Sequence, residues 1–557
     1  MNKPWLDAYP AGTPAEIDPD SVRTLVEMLS ESCRRFADRP AFHNLGVTLT
    51  YRELDQLSQA FAAYLLDRGL HKGDRVALML PNILQYPVAL FGVLRAGLIV
   101  VNTNPLYTPR ELLHQLGDSG ARAIVVLENF AHVLAEVQSQ TRLDHIIVTG
   151  IGDLAPTYKR VPINFVVRRI RHLVPAYNLP NAISFRDALH EGTRLTLPPI
   201  AISATDTAFL QYTGGTTGVA KGAVLTHRNL VANVLQMSAF WRSVIEPGRE
   251  IMVTPLPLYH VFCLLCNCLL MVHNGGLNVL ITNPRDIPGF VGELRKWRFT
   301  LITGVNTLYS TLMEHPRFAQ LDFSALKAGA AGGMALQPAV ANRWQAITGR
   351  PLVEGYGLTE TSPVVACNPL EGARLGSVGL PVPSTEISIR DGDTELPAGE
   401  AGELCVRGPQ VMSGYWNRDR DTSSTFAEGG WLRTGDIAVL EKDGFLRIVD
   451  RKKDLIIVSG FKVFPNEIEA VVSEHPAVLD CGCAGIVDDR SGQAVKIFVV
   501  VRSGVSLTAE ELREYCRGRL TAYKVPKHIE FRDCLPKTHI GKILRRELVH
   551  SEPSRAA

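Results

Sequence analysis

The sequence predicts an α/β protein with a large N-terminal domain of layered βαβ subdomains plus a distorted β-barrel, and a small α+β C-terminal domain. Three observations support this fold. Strand-length apolar runs alternate with helical patterns early in the chain, short alternating runs and turns follow Gly376, and a charged run at 450–454 precedes the final segment. We therefore expect one domain over residues 1–449, a hinge over 450–454 and a mobile domain over 455–557.

The first part of the chain alternates between helix and strand. Apolar residues recur at helical spacing over 54–66, and residues 76–80 form a strand pattern that ends at a Pro-Asn turn. Further strand patterns lie at 99–101 and 123–127, with helical patterns between them. Such alternation is typical of parallel α/β layering.

The rest of the chain is assigned from apolar runs, turns and one capping box. A second α/β unit, a β-rich part and an α+β end are expected in that order. The predicted strands are 208–211, 223–225, 250–253, 300–303, 351–353, 386–389, 402–406, 445–449 and 494–500, with helices near 466–472 and after Thr508.

Composition limits the class of protein. Hydrophobic residues make up 46% of the 557 positions and charged residues 20%, as in ordinary globular chains, and the net charge of +2 argues against a nucleic-acid partner. The N-terminus lacks the apolar core of a signal peptide, and the most apolar segment, 261–272, is too short to cross a bilayer. We expect a cytoplasmic protein; its oligomeric state stays open, with a homodimer as one option.

The ten cysteines are scattered through the chain rather than arranged as a disulfide framework, which fits a reducing compartment. Cys263, Cys266 and Cys268 form one group and Cys481 and Cys483 another. Neither group has a matching Cys or His pair nearby, so we expect small buried residues rather than metal ligands.

The stretch from Tyr212 to Ala223 has the composition of a phosphate-binding loop. Its four glycines allow close backbone approach, and its threonines and Lys221 add donors for an anion. Because Lys221 precedes a glycine and both flanks are strand-like, the stretch differs from the P-loop, which opens directly into a helix. Taken alone, it is either a nucleotide site or a glycine-rich hairpin turn.

Residues 159–175 predict a basic amphipathic helix. Ile163, Val166, Val167, Ile170, Leu173 and Val174 recur at helical spacing, beside the cluster Arg168, Arg169, Arg171 and His172. Two interpretations remain open: an ordinary surface helix packed on its domain, or a helix that docks on an anionic membrane, on the inner face of the cytoplasmic membrane.

Four further loop-like stretches mix small, hydroxyl and charged residues as the glycine stretch does, and loop residues of this kind more often serve function than packing. They are 257–260 (PLYH), 354–361 (EGYGLTET), 431–436 (WLRTGD) and 536–543 (PKTHIGKI). Together with Tyr212–Ala223, they resemble the adenylate-forming (AMP-binding) superfamily of acyl-CoA synthetases, luciferases and peptide-synthetase adenylation domains. The resemblance extends from about residue 54 to 548, and the run from Trp431 to Lys453 is similar to the signature of fatty acyl-CoA synthetases.

The resemblance implies a site for ATP and Mg²⁺. The 213–221 loop would hold the β- and γ-phosphates, Tyr356 would stack on adenine, Asp436 and Arg451 would bind the ribose, and Thr216 with Glu360 would contact the metal. The implied nucleotide and coenzyme A contacts are Tyr212, Thr213, Gly214, Gly215, Thr216, Thr217, Gly218, Val219, Ala220, Lys221, Gly222, Ala223, Gly355, Tyr356, Gly357, Thr359, Asp436, Arg451, Gly460 and Lys462.

The resemblance also implies catalytic roles. Lys542 would stabilise the negative charge that builds up when a carboxylate attacks the α-phosphate, because that step brings two anions together. His260 would shape the carboxylate pocket and act in the switch between half-reactions, while Thr216 and Glu360 act through the metal. Lys453 would be the hinge about which the small domain rotates to admit coenzyme A.

The implied acyl pocket lies after His260, near 304–306 and 329–333, and its residues are apolar or small. An apolar tunnel favours medium or long chains, since each buried methylene contributes about 0.8 kcal/mol. The expected activity is ATP-dependent formation of long-chain acyl-CoA through an acyl-adenylate, with release of AMP and pyrophosphate. The alternatives are an acyl-AMP ligase that loads a carrier protein and a non-catalytic acyl- or nucleotide-binding protein.

Overall fold

The computed structural model of the protein describes residues 3–213, 220–459, 461–488, 491–538 and 543–550. Its first part alternates strand and helix, as predicted. The strands are β1 (Pro40–Asn44), β2 (Val47–Thr50), β3 (Arg75–Met79), β4 (Ile99–Asn102), β5 (Ala123–Leu127), β6 (His145–Thr149) and β7 (Ala182–Ser184); the helices are α1 (Leu25–Arg35), α2 (Tyr51–Asp67), α3 (Gln85–Arg95), α4 (Pro109–Ser119), α5 (Ala131–Val137), α6 (Thr157–Phe165) and α7 (Phe185–Gly192).

A second α/β unit follows. Its strands are β8 (Thr207–Tyr212), β9 (Gly222–Thr226), β10 (Ile251–Thr254), β11 (Leu277–Leu280), β12 (Leu301–Gly304), β13 (Ala328–Ala331), β14 (Leu352–Gly357), β15 (Val364–Cys367) and β16 (Leu380–Pro381). Its helices are α8 (His227–Phe240), α9 (Val261–Cys263), α10 (Leu270–Asn274), α11 (Ile287–Leu294), α12 (Asn306–Glu314) and α13 (Pro338–Thr348).

The β-rich part and the C-terminal α+β part complete the chain. The first contains β17 (Glu386–Asp391), β18 (Thr394–Glu395), β19 (Ala401–Arg407), β20 (Gly414–Tyr415), α14 (Asp419–Thr425), β21 (Phe426–Ala427), β22 (Trp431–Leu440) and β23 (Leu446–Arg451). The second contains β24 (Ile456–Val458), β25 (Phe461–Val463), α15 (Pro465–Ser473), β26 (Val478–Asp488), β27 (Gly492–Val501), α16 (Ala509–Arg517), β28 (His528–Phe531) and α17 (Arg545–His550).

Four sheets organise these strands. An eight-stranded sheet has the order β20-β9-β8-β4-β3-β5-β6-β7, and a nine-stranded sheet has the order β16-β15-β14-β13-β12-β10-β11-β1-β2; both are parallel at their centres. The β-rich part forms a six-stranded antiparallel sheet, and the C-terminal part forms a five-stranded sheet. The predicted α/β class is confirmed, and so is the predicted order of α/β units, β-rich part and C-terminal α+β part.

Helix packing and capping follow from local sequence. An ideal Cβ at Gly192 would lie 2.0 Å from the Ala60 carbonyl oxygen, so α7 packs against α2 only because glycine ends it. The predicted capping box at Thr508 and Glu511 starts α16, and equivalent boxes start α2 and α4. All five cysteines discussed above are buried and free, as expected.

The basic stretch differs from its prediction. An α-helix over 157–165 continues as a π-helix over Val166–Ile170 and ends there, because His172 adopts a left-handed backbone with φ of 49°. The predicted continuation of the helix to residue 175 is therefore wrong. None of the residues of this helix is buried, and Tyr158 is 74% exposed. Within the part of the chain that the structure describes, no helix is long and apolar enough to span a bilayer.

Candidate active site

The glycine-rich stretch connects two antiparallel strands, as predicted. Tyr212 of β8 lies opposite Gly222 of β9, and the Thr213 amide donates a 2.9 Å hydrogen bond to the Lys221 carbonyl at the base of the loop. The helix α8 begins only after β9, capped by Thr226. Residues 214–219, including Thr216, lie outside the described residues, so the structure places the stems of this loop and not its tip.

The predicted adenine and ribose residues come together at the end of β14. The Tyr356 hydroxyl donates a 2.6 Å hydrogen bond to Asp436, and the Arg451 Nε lies 2.8 Å from the other carboxylate oxygen. Asp436 and Arg451 are opposite each other in the β22–β23 ladder. Burial and the Asp436 carboxylate raise the pKa of Tyr356 well above its usual value, so its hydroxyl stays a donor.

A cavity of about 370 Å³ adjoins this cluster. It is lined by Thr434, Gly435, Arg451, Lys452 and Lys453, so three residues of the predicted hinge face it, among them Arg451 of the ribose cluster. Basic side chains around a cavity suit a ligand that carries phosphate.

Two glycines flank Tyr356, and they serve different purposes. An ideal Cβ at Gly357 would lie 1.9 Å from the Pro363 carbonyl oxygen, where no side chain fits. The same atom at Gly355 would meet only ordinary contacts, the nearest at 3.5 Å. Gly357 is thus required by the turn that follows, in which Thr359 begins a short 3-10 helix containing Glu360.

Glu360, the predicted metal ligand, lies next to β20. Its Oε1 accepts a 2.6 Å hydrogen bond from the Tyr415 hydroxyl, and its main-chain carbonyl accepts one from the Met412 amide. A carboxylate beside a phosphate loop matches the oxygen ligands that Mg²⁺ prefers, so the residue present fits the predicted ion. Its predicted partner Thr216 is not among the described residues.

His260 caps the helix α9. Its Nδ1 accepts a 3.3 Å hydrogen bond from the Phe262 amide, and burial lowers its pKa to about 4, so the imidazole is neutral near pH 7. The sequence analysis missed Gln211, which ties this turn to the phosphate loop: its amide donates to the Tyr259 carbonyl at 2.7 Å and accepts from Asn102. In the sequence, the one indication of this role is that Gln211 ends the predicted strand 208–211, directly before the phosphate-binding stretch.

The predicted acyl region contains an irregular helix. Between α9 and α10 the chain forms a π-helix over Leu264–Leu269, which sequence periodicity did not indicate. Asn267 within it is fully buried and donates to Thr254 and Thr303, whereas Phe262 faces Gly332, where an added Cβ would lie 3.2 Å from the ring. Phe262 and Gly332, which both belong to the predicted acyl region, are therefore neighbours in the fold.

Lys542 and Gly460 lie outside the described residues. Three positions after Lys542, Arg545 lies among acidic side chains: it pairs with Asp450, Asp454 and Glu469 at 2.8–3.2 Å. Lys462 is exposed on the β24–β25 hairpin. The predicted hinge is thus in direct contact with the segment that follows the lysine.

Comparisons with known proteins identify the family. A model of the AMP-binding enzyme family matches residues 29–416, and a model of its C-terminal domain matches residues 467–542. The chain belongs to the AMP-binding enzyme family. This AMP-binding enzyme is 58% identical over 551 residues to a long-chain-fatty-acid–CoA ligase of Escherichia coli O6:H1, with 98% of each chain covered.

More distant relatives share the whole length. A long-chain-fatty-acid–CoA ligase of Bacillus subtilis is 39% identical over 99% of this AMP-binding enzyme and 98% of the relative. The crystal structure of a benzoate CoA ligase from Burkholderia xenovorans superimposes with a TM-score of 0.81 at 26% identity, covering 94% of this chain and 99% of that one. The predicted superfamily is confirmed.

Proposed function

We propose that the protein is an ATP-dependent long-chain fatty-acid–CoA ligase, which converts a fatty acid to an acyl-adenylate and then to acyl-CoA, with release of pyrophosphate and AMP. The observation that carries this proposal is 58% identity over 98% of the chain to a ligase of that name. Such full-length similarity, with both family domains present, favours acyl-CoA formation over the loading of a carrier protein.

The nucleotide would bind at the residues that the family resemblance assigns to it. Tyr356 would stack on adenine, while Asp436 accepts hydrogen bonds from the ribose hydroxyls and Arg451 holds that carboxylate in position. The phosphates would lie against the 213–221 loop. Mg²⁺, held by Glu360 and Thr216, would neutralise charge on the phosphates when bound.

Adenylation joins two anions, and the residues of this chain would make that step feasible. Lys542 would place a cation at the reacting phosphate, where developing charge needs stabilisation. His260, neutral at physiological pH, would border the carboxylate without drawing it away as an ion pair. The apolar wall at Phe262 and Gly332 would receive the chain.

Thioester formation would follow rotation of residues 455–557 about the 450–454 hinge at Lys453. Coenzyme A would then contact Gly460 and Lys462. A cleft of about 510 Å³ in the C-terminal part supports a role for this part of the chain in binding coenzyme A. Arg513, Arg517 and Lys527 line it, and its Tyr523 ring stacks on Phe461 at 4.7 Å. Cations beside an aromatic ring suit a phosphorylated nucleotide.

The decisive assay combines purified protein, oleate, ATP, Mg²⁺ and coenzyme A. We expect AMP and oleoyl-CoA in equal amounts, and Lys542→Ala should abolish adenylation while leaving thioester formation from supplied oleoyl-adenylate largely intact. AMP formation without any acyl-CoA would favour the carrier-protein alternative, and binding of ATP without turnover would favour the non-catalytic one. A series of acids from short to long chain would then define the substrate.

We also infer peripheral contact with an anionic membrane, on the inner face of the cytoplasmic membrane, through the surface formed by residues 158–173. Its support is a group of large apolar side chains that are 38–74% exposed: Tyr158, Val161, Phe165, Val166, Ile170 and Leu173. Arg169 and Arg171 lie beside them, and within the described ranges no carboxylate pairs with either. Apolar groups flanked by cations are typical of interfacial helices.

The structure sharpens the test of this contact. Arg168 pairs at 2.6 Å with the buried Glu128. The test variants therefore leave Arg168 unchanged, because its loss would strip a buried carboxylate of its partner. We expect Arg169→Glu with Arg171→Glu to reduce sedimentation with phosphatidylglycerol vesicles, while the same charge change at the exposed Arg317 and Arg350 leaves it unaltered. Equal effects of the two double variants would contradict the contact. Sedimentation equilibrium of the same preparations distinguishes a monomer from a homodimer.

A further inference from the structure

The short strand β20 and the helix α14 lie against the stem of the phosphate loop. Tyr415 is opposite Ala223 in the antiparallel pairing of β20 with β9, and the Trp416 amide donates a 2.8 Å hydrogen bond to the Gly222 carbonyl. The Tyr415 amide in turn donates to the Thr422 hydroxyl of α14 at 2.9 Å. The loop that would bind phosphate is thus attached to this strand–helix pair, which the sequence analysis did not single out.

The close packing of β20 on α14 depends on Gly414. Its φ is +152°, and an ideal Cβ there would lie 2.7 Å from the Thr422 methyl carbon. A side chain at this position would have to displace the Thr422 side chain of α14. Glycine at position 414 therefore allows α14 to lie this close to the strand beside the phosphate loop.

α14 brings a carboxylate to the lysine of the phosphate loop. The Lys221 Nζ lies 2.6 Å from the Asp421 Oδ1 and 5.4 Å above the centre of the Tyr415 ring. Both charged side chains are little more than one-third exposed, so water and ligands still reach them. Lys221, the cation expected to bind phosphate, is therefore already paired with the carboxylate of Asp421.

Tyr415 also contacts the predicted metal ligand. Its hydroxyl donates to the Glu360 Oε1 at 2.6 Å while its ring faces Lys221. One side chain thus sits between the two groups that would hold the phosphates and the metal.

We infer that Asp421 is a displaceable counter-ion that competes with nucleotide phosphates for Lys221, and that Tyr415 is the positioning residue that aligns Lys221 with Glu360. This inference rests on the proposed function. ATP must exchange Asp421 for a phosphate oxygen on Lys221, and Asp421 regains the lysine as pyrophosphate leaves. The carboxylate weakens binding of both ligands but speeds release of pyrophosphate, so it favours turnover over product retention.

The test uses the full-length protein and calorimetric titration with MgATP and with magnesium pyrophosphate. Asp421→Asn should bind both ligands more tightly, by roughly two- to fivefold, the range of a partly exposed ion pair. Asp419→Asn is the matched control, because it removes the same charge from the first turn of the same helix, and Asp419 forms no ion pair in the described part of the chain. It should match the wild type.

The outcomes are distinguishable. If the wild type fails to bind MgATP, the proposed function itself is refuted. If the wild type binds but Asp421→Asn equals Asp419→Asn, or binds more weakly, the counter-ion inference is overturned. Stopped-flow measurement of pyrophosphate release should show slower release in Asp421→Asn, and unchanged release would also overturn the inference.

Tyr415→Phe isolates the hydroxyl, because the ring over Lys221 remains. We expect a several-fold higher Mg²⁺ concentration for half-maximal adenylation, with binding of metal-free pyrophosphate unchanged. A purely structural role would weaken both, and an unaltered Mg²⁺ dependence would remove Tyr415 from the inference.

Discussion

The Tyr356 hydroxyl donates a 2.6 Å hydrogen bond to Asp436 across 80 positions of sequence. Arg451 pairs with the same carboxylate, so the buried Asp436 has a cationic partner as well as the tyrosine hydroxyl. The ring that would stack on adenine and the carboxylate that would bind ribose are therefore prearranged as one unit.

Tyr356→Phe should raise the KM for ATP by about tenfold with a smaller effect on kcat, because a hydrogen bond to a charged group contributes about 1.5 kcal/mol or more. Steady-state kinetics at varied ATP would measure this. Tyr515→Phe, a half-buried tyrosine on α16, provides the control and should leave the KM unchanged. A normal KM in Tyr356→Phe would show that the hydroxyl does not orient the ring.

Arg545→Met should destabilise the C-terminal part by about 3–5 kcal/mol, since it leaves the fully buried Asp450 and its neighbour Glu469 without their cation. Urea unfolding and proteolysis rates would measure the loss. The same change at Arg249, whose pair with Glu246 is largely exposed, should cost less than about 1 kcal/mol. Similar losses in both variants would mean that the cluster around Arg545 contributes no more than a surface pair.

Glu354→Gln should stabilise the protein increasingly as pH rises. Burial raises the pKa of Glu354 to about 8, above its ordinary value of 4.5, and its Oε1 accepts from the Leu336 amide. The folded state thus holds a proton that the unfolded state releases, so stability is lost as pH rises from 4.5 to 8. Between pH 6 and 9 the difference in unfolding free energy between variant and wild type should grow by about 2–3 kcal/mol.

Denaturant titrations at several pH values would measure this trend. Glu371→Gln serves as the control because Glu371 is exposed. A difference between Glu354→Gln and wild type that stays constant with pH would show that Glu354 is ionised in the folded state.

His227 should make the protein sensitive to acid. Burial lowers its pKa to about 4, and its Nδ1 accepts a hydrogen bond from the Leu25 amide, which requires an unprotonated nitrogen. The unfolded state binds a proton first as pH falls, so stability is lost from pH 6.5 down to 4, by about 3 kcal/mol in total.

His227→Asn should flatten this pH dependence, because asparagine offers an acceptor to Leu25 and does not titrate. The exposed His190→Asn should retain the wild-type slope of unfolding free energy against pH. Parallel slopes for all three proteins between pH 6.5 and 4.5 would contradict the assignment.

The sequence predicted local features well where local physics decides them. Alternating apolar runs placed the strands of the parallel sheets, and the threonine and glutamate of the capping box marked the start of α16. The strand-like flanks of the glycine loop predicted the β8–β9 hairpin correctly. Periodicity failed at 171–175, where a left-handed residue ends the helix, and it gave no indication of the π-helical turns at 264–269.

By itself, the sequence determined the α/β class, the motifs and, through their joint resemblance, the family. Only the tertiary structure decided which groups meet: Tyr356 with Asp436, Arg545 with Asp450, and Asp421 with Lys221. The physical reason is that helix and strand patterns are set by neighbours a few positions apart, whereas these contacts join segments that only the packing of sheets and helices brings together. Asp421 and Tyr415 lie in no motif that was singled out, so nothing short of the folded arrangement could place them beside the phosphate loop.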